Sequence, residues 1–551
     1  MHVVNTDAAP HAVVIGSGIG GATTALLLAH AGIRTTLLEK NRRIGGSCSG
    51  YDKRGFHIDI GTHMFCRGAV GPLGDVLRRV GQEGAIRFKR TRDIAEVRFP
   101  RRGAPVRDAA SSLDEVTRIA VPADVERLPR FAWELCRALE LSPREALRAA
   151  RFFTHVMAMS DVEVAEWDDR TVEDLIRPFT DHPGTIGVFG FLLGLYFILP
   201  YWEVSAGEAL WSFRRMVRDN SLSYPEGGSI SVPGTYCRLA EAAGAEVRTG
   251  AGVRRILMQG GRVSGVELED GTRIDARIVV STSSMRTTVK RLVGVEHFPA
   301  EYVRRAEGIR GSYIAVQAKI ALSRKLVEAG AIVGGVGDGV DLLGVGTEDL
   351  KAMFESMASG RVPSVVPFYC PVPTNFDASL APPGCQLLTA CAVAPTSDVA
   401  LKDPAPLWEE AMMRALRRVV PGSTSTPSSS TASRSPSSRT GSARSSGPPS
   451  PPGRSPVRSG QPAAGLHADP RAVPGRMRAG ARGWAPSWPR PAAWSARPHP
   501  RRLRPRSAGA ASASAGRGRQ APAGARGDDP ARLGHAPAAG IHSSLTERRM
   551  R

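Results

Sequence analysis

Hydrophobic positions run unbroken at 13–15 (VVI), then give way to small residues and to a segment, 22–31, whose alanines and leucines recur at helical spacing. A second apolar run follows at 33–38, so a strand, a helix and a strand are predicted within the first forty residues. Between about 73 and 220 the period lengthens. Stretches such as VERLPRFAWELCRALELSPREALRAARFFTHVM place apolar residues three and four apart and predict a mainly helical region. Inside it, 186–202 (IGVFGFLLGLYFILPYW) carries almost no charge. It is short for a membrane span and holds Gly187, Gly190, Gly194 and Pro200, so it reads as a buried or interfacial helix. After YPEGG (224–228) and a helix-like stretch ending near Gly244, alternation returns. AEVRTGAGVRRILMQGGRVSGVELEDGTRIDARIVVST predicts consecutive strands with a turn at Asp270 and Gly271. From about 298 to 396, short apolar runs lie between Gly and Pro turns, with strands at IAVQAKIAL and QLLTACAVA.

The 551 residues are 42% hydrophobic, enough for more than one domain with a sizeable core. The formal charge of +21 is unevenly spread: residues 423–551 hold 22 arginines, no lysine and 4 acids, while the first 422 residues are close to neutral at +3. A global basic surface for nucleic acid is therefore not expected. The seven cysteines, Cys48, Cys66, Cys136, Cys237, Cys370, Cys385 and Cys391, show no metal-ligand spacing. Their odd, dispersed set reads as reduced thiols in a cytoplasmic setting, and the N-terminus does not have the pattern of a secretion signal.

After Gly422 the composition turns abruptly to Ser, Arg, Pro, Ala and Gly, which reads first as a disordered tail. Trp484, Trp488 and Trp494 fit that poorly, as does arginine without lysine. Both follow naturally if a GC-rich gene is being read out of frame. Taking the last base of each codon with the first two of the next, the neighbouring frame permits VDEH across 422–426, TGQVPGQVG across 451–460 and VGTEL across 483–488, with a glycine forced by Trp484 and Ala485. We read residues 423–551 as the product of a one-base deletion in the gene or its sequencing.

The chemistry concentrates at the start. Gly16, Gly18, Gly20 and Gly21 form GSGIGG, a GxGxxG turn between the first strand and its helix, where free amides face a pyrophosphate. Glu39, with Lys40 beside it, follows about twenty residues later, where an acceptor for ribose hydroxyls is needed. Gly45 and Gly46 come next, and Gly55, Asp59 and Gly61 stand in GFHIDIGTH. His57 and His63 are close in sequence, but two histidines without a third ligand at zinc-like spacing read as residues packed beside the site.

On these motifs the chain resembles the FAD-dependent amine oxidase and phytoene desaturase group, which includes carotenoid desaturases, carotenoid isomerases and retinol saturases. The resemblance implies that Gly45 and Gly46 continue the phosphate and ribose site and that the segment of Asp59 and Gly61 runs on toward the flavin. Ser47 stands where the group usually has arginine, which puts one phosphate or flavin contact in doubt. It further implies that Val253 touches the adenine through its backbone, and that a third, C-terminal segment completes the cofactor domain. In this chain that segment would begin at 411–422 and then be lost to the shifted frame.

The expected architecture is α/β: a Rossmann-like FAD-binding domain (1–75 and 216–290) interleaved with a mixed α+β substrate domain (76–215, mainly helical, and 291–410), then a disordered C-terminal tail. The expected activity is hydride transfer between flavin N5 and a hydrophobic isoprenoid or polyene, with desaturation as the default. No catalytic side chain and no metal ligand is assigned. A saturase, an isomerase, an amine oxidase and an inactive frameshifted relative stand as alternatives. A peripheral contact with the inner face of the membrane would suit a lipophilic substrate, and Arg214, Arg215 and Arg218 could meet anionic headgroups there.

Overall fold

The computed structural model describes residues 10–423, apart from 102–109, 111, 195–196, 220–221, 310–312, 338–339, 342–346, 396–398 and 400. The reading of the tail, its three tryptophans and its displaced frame therefore lie outside the described residues from 424 onward.

The N-terminal apolar runs become the centre of a four-stranded parallel sheet in the order Ile278–Ser281, Ala12–Ile15, Thr35–Leu38, Glu246–Arg248. Every residue of the two central strands is buried, as parallel strands covered on both faces require. On one face, Val14 and Leu37 pack with the helices Ile19–His30 and Ser231–Ala242. On the other, Val13, Ile15 and Leu38 meet an antiparallel meander of Val253–Gln259, Arg262–Leu268 and Arg273–Asp275. The turn predicted at Asp270 and Gly271 joins its last two strands, and the Asp270 side chain accepts the Thr272 amide at 2.9 Å. The sheet thus draws its strands from two distant parts of the chain.

A seven-stranded sheet forms the second layer. Its main path runs Ile314–Leu322, Gln386–Ala394, Val365–Pro371, Ala331–Gly337, Asp93–Pro100, Val116–Pro122, with Val340–Asp341 beside Ala331–Gly337. IAVQAKIAL and QLLTACAVA are its first two strands, paired antiparallel from Ile314 opposite Ala394 to Leu322 opposite Gln386. Asp93–Pro100 and Val116–Pro122 are strands inside the stretch expected to be mainly helical. Their alternation is masked by charge, because Glu96 and Arg98 share one face and pair at 2.6 Å. The helices of that stretch are Pro72–Arg79 and, after these strands, Leu128–Ala138, Pro143–Ala158, Asp161–Ala165, Val172–Ile176, Pro183–Gly194 and Ala206–Asp219.

The apolar segment 186–202 is helical only as far as Gly194, and Ile186, Leu193, Phe197, Leu199 and Tyr201 lie in the helical core. Among the described residues no helix is long and apolar enough to cross a membrane. Arg214 is also buried: it donates to the Met159 carbonyl, while Arg215 pairs with Asp161 at 2.9 Å and Arg218 reaches the Met157 carbonyl at 2.9 Å. The three arginines tie the helix Ala206–Asp219 to the turn at 157–161.

Residues 411–422, read as the start of a third cofactor segment, fall mostly in the helix Ala405–Val419, whose Met412, Ala415, Leu416 and Val419 pack into the core of the seven-stranded sheet. Apolar residues at that helical spacing form one continuous stripe, and the sheet offers the apolar face that buries it.

Candidate functional site

The turn after the first strand is shaped by what glycine alone permits. A Cβ on Gly21 would lie 1.7 Å from the Gly16 carbonyl oxygen, so the helix can start this close to the strand only without a side chain. At Gly18 the reverse holds: no protein atom comes within 4 Å of where its Cβ would be. Gly18 is also the helix N-cap and receives no side-chain cap. The first intrahelical bond runs from the Ala22 amide to the Gly18 carbonyl (2.9 Å), so the amides of residues 19–21 have no intrahelical acceptor. The result is an open, electropositive helix end.

The glycine doublet closes over this end. Gly45 has φ +109°, and a Cβ there would strike the Ile230 side chain at 2.6 Å. Its amide is held by the Ser17 hydroxyl at 3.1 Å, and a Cβ on Gly46 would lie 3.2 Å from Gly18 Cα. The two glycine loops therefore approach each other closely at Gly18 and Gly46, where neither carries a side chain. Gly20, Gly46 and Ser47 are exposed there and Gly16 and Gly18 partly so. Thr282 seals the opposite side, its hydroxyl donating to the Ile15 carbonyl at 2.8 Å.

Glu39 is buried at the end of the second strand. One carboxylate oxygen accepts the Ser17 amide (2.9 Å) and hydroxyl (2.6 Å), and the other accepts the Asn41 amide (2.9 Å) and side-chain amide (2.8 Å). These four donors hold it against the turn, where the sequence requires an acceptor. Lys40 points outward and is exposed. Val253 is brought alongside because the Gly250 amide donates to the Asn41 carbonyl (2.9 Å) and the Ala251 amide to the Glu39 carbonyl (2.8 Å). Val253 itself is buried with Val13, Ile15 and Leu38.

Asp59 and Gly61 extend the same site. Thr62 donates its amide to the Ser47 carbonyl at 3.0 Å, and a Cβ on Gly61 would lie 2.8 Å from that oxygen, so the segment after Asp59 runs flush against the doublet loop. Asp59 is buried and accepts the Tyr224 hydroxyl, the Ser229 amide (3.0 Å) and the Ser229 hydroxyl (2.7 Å). It joins the YPEGG segment to the site. Burial and the Asp59 charge push the Tyr224 phenol well above its ordinary range, so it stays a donor.

His57 and His63 do not act as a pair. His57 meets Asp52 at 2.9 Å and wedges between Gly50 and Gly228. His63 is buried, with Nε2 3.5 Å from Lys319 Nζ. Among the described residues no group of three or more His, Cys, Asp or Glu is placed to hold a metal. Ser17, Asn41, Thr282 and Tyr224 were not singled out from the sequence. Ser17, within GSGIGG, Thr282, at the end of the predicted strands, and Tyr224, in YPEGG, lay within stretches already marked, whereas Asn41 did not.

The open helix end, the glycine loops beside it and the seated Glu39 fit a dinucleotide diphosphate and its ribose. The chain matches the family model described as flavin containing amine oxidoreductase over residues 19–480. It is 28% identical to a phytoene desaturase of Cercospora nicotianae over 404 residues, covering 69% of this chain and 60% of that protein's length. It is 26% identical to a zeta-carotene-forming phytoene desaturase of Myxococcus xanthus over 403 residues, covering 68% of this chain and 70% of the relative. Among solved structures, an oxidoreductase from Methanosarcina mazei superposes with a TM-score of 0.56 at 21% identity, covering 75% of this chain and 85% of that one.

Proposed function

The chain belongs to the flavin-containing amine oxidoreductase family and is an FAD-dependent oxidoreductase, and from that premise we propose that its substrate is a hydrophobic isoprenoid or polyene, with desaturation as the direction of reaction. When bound, the flavin supplies a hydride acceptor or donor at N5. The residues of this chain do the rest. The amides of residues 19–21 and the facing glycines receive the diphosphate, and Glu39 takes the ribose hydroxyls by exchanging its Ser17 or Asn41 donors.

The observation that carries the substrate class is the surface next to Gly61. Met64, two residues beyond Thr62, packs with Ala95, Val121, Ala331 and Val333 of the seven-stranded sheet. An apolar cluster of this kind beside the site suits a hydrocarbon chain and the exclusion of water. The names of the Cercospora and Myxococcus relatives agree with that chemistry. Incubating the flavin-loaded protein with phytoene, with and without a reductant, tests the reading. A product with more double bonds formed without reductant supports desaturation, whereas peroxide release from amines and no turnover of polyenes would refute it. Quinone or oxygen would serve as electron acceptor.

Delivery of such a substrate favours a peripheral membrane contact. Trp133 (57% exposed), Leu147, Phe153 and Val162 stand outward on consecutive helices that also carry Arg130, Arg137, Arg144, Arg148 and Arg151. We place the protein in the cytoplasm, at the inner membrane face.

A further inference from the structure

The strand Ile314–Leu322 has two unlike faces. Ala318, Ile320 and Leu322 enter the core shared with the helix Ala405–Val419, so Gln317 and Lys319 lie on the opposite face. The register shows what accompanies them. Gln317 is opposite Cys391, Cys391 opposite Tyr369, and Tyr369 opposite Val333, with Lys319 opposite Thr389. This row meets the cofactor loop, because the Tyr369 hydroxyl donates to Met64 Sδ at 2.6 Å and His63 lies against Lys319. The apolar wall described above therefore has one polar end, made by Gln317, Lys319 and His63.

That end has donors in excess. Lys319 gives one N–H to Gln317 Oε1 at 2.9 Å and faces His63 Nε2 with another. Its third N–H and its charge meet no carboxylate within 4 Å among the described residues, and Asp59 acts on it only from farther away. If His63 Nε2 accepts from Lys319, its ring hydrogen sits on Nδ1, a buried atom without a partner. Burial pushes Lys319 down to about 8, which still leaves it charged at neutral pH, and pushes His63 well below its ordinary value, with the Lys319 charge adding to the effect. Cys391 and Tyr369 share the Lys319 face and Cys370 lies on the other; burial raises all three, so they are neutral. Lys319 is half-buried at the end of this wall, a cation with no carboxylate partner among the described residues, and a hydrocarbon offers it nothing.

Resting on the polyene reading above, we propose that the substrate carries a carboxylate, which Lys319 pairs with as the apolar chain lies along Met64, Tyr369 and Val333. The site then binds an isoprenoid or polyene acid more tightly than its ester.

The test is a titration of the full-length, flavin-quantified protein with retinoate and with methyl retinoate at pH 7, followed by quenching of tryptophan fluorescence. Lys319→Met, Lys319→Arg and, as a surface control, Lys325→Met are compared. We expect the acid to bind about ten-fold more tightly than the ester in the wild type and in Lys325→Met. That preference should fall below about two-fold in Lys319→Met, with ester affinity unchanged, and survive in part in Lys319→Arg. Equal binding of acid and ester by the wild type, or a preference that persists in Lys319→Met, overturns the proposal and leaves the polyene reading standing. Binding of neither compound by flavin-loaded protein overturns both.

Discussion

Replacing Lys319 by methionine should make the protein more stable at neutral pH. The lysine falls from an ordinary 10.5 to about 8 because the fold buries it, and a shift of that size corresponds to roughly 3 kcal/mol favouring the neutral form. At pH 7 the folded chain bears at most that penalty, because solvent reaches the half-buried ammonium and the group is protonated in both states. Between about 8 and 10.5 the unfolded chain holds the proton and the folded chain does not, so wild-type stability rises with pH and the penalty fades. Methionine fills a similar volume without charge but gives up the hydrogen bond to Gln317, worth about 1 kcal/mol. The net gain at pH 7 is at most about 2 kcal/mol, or about 2–3 °C in melting temperature for a folded unit of roughly 400 residues. Paired thermal melts of both proteins at pH 7 and pH 10 measure it, with other alkaline titrations cancelling in the difference. The gap should be present at pH 7 and close by pH 10. A variant less stable at pH 7, or a gap that ignores pH, would refute the account of Lys319 as a half-buried cation without a carboxylate partner.

Two glycines separate folding from cofactor binding. Gly21→Ala forces a Cβ to 1.7 Å from the Gly16 carbonyl and should lower the melting temperature and abolish flavin retention. Gly18→Ala meets no protein atom within 4 Å, so circular dichroism and melting should stay near wild type while the ratio of flavin to protein absorbance drops. Tyr224→Phe leaves Asp59 with one donor fewer in a buried site and should cost about 1–3 kcal/mol in urea denaturation. A variant as stable as wild type would show that the Tyr224 hydroxyl does not matter. Sedimentation with vesicles of anionic and neutral lipid tests the helical surface: Trp133→Ser with Phe153→Ser should cut anionic-vesicle binding several-fold, and unchanged binding would remove the membrane contact from the proposal. Resequencing the gene across the codons for 419–426 should recover one additional base. An intact frame there would make the tail genuine.

The parts of this fold legible in the sequence are those where one segment carries its own reason. The strand, glycine turn and helix at the N-terminus are fixed by local sterics, and the two strands at 314–322 and 386–394 by unbroken β-type runs between turns. Arg98 hid its strand because its partners, Glu96 and the Val419 carbonyl at 3.1 Å, lie across the face and 321 residues away in the chain. Lys319 was hidden for the opposite reason. A lysine in an alternating strand looks like its solvent side, and only the packing of residues 63 and 64 against the sheet turns that side inward. Glu39 was legible from spacing, but Ser17 and Asn41, which hold it, were not, since serine and asparagine suit any turn.

The order of strands in the parallel sheet also sets a schedule for synthesis. Ala12–Ile15 and Thr35–Leu38 are made first, yet their outer neighbours are Glu246–Arg248 and Ile278–Ser281. At ordinary elongation rates the ribosome needs roughly 10–50 s to travel from the second strand to the last. For that interval the nascent chain carries two apolar strands with unpaired edges, the kind of surface that chaperones bind and that neighbouring chains can pair with. Translation that stops before Ile278 would release a polypeptide with the strand Ala12–Ile15 unpaired on one side. Yield of soluble protein should therefore depend on what happens on the ribosome well before any cofactor can bind.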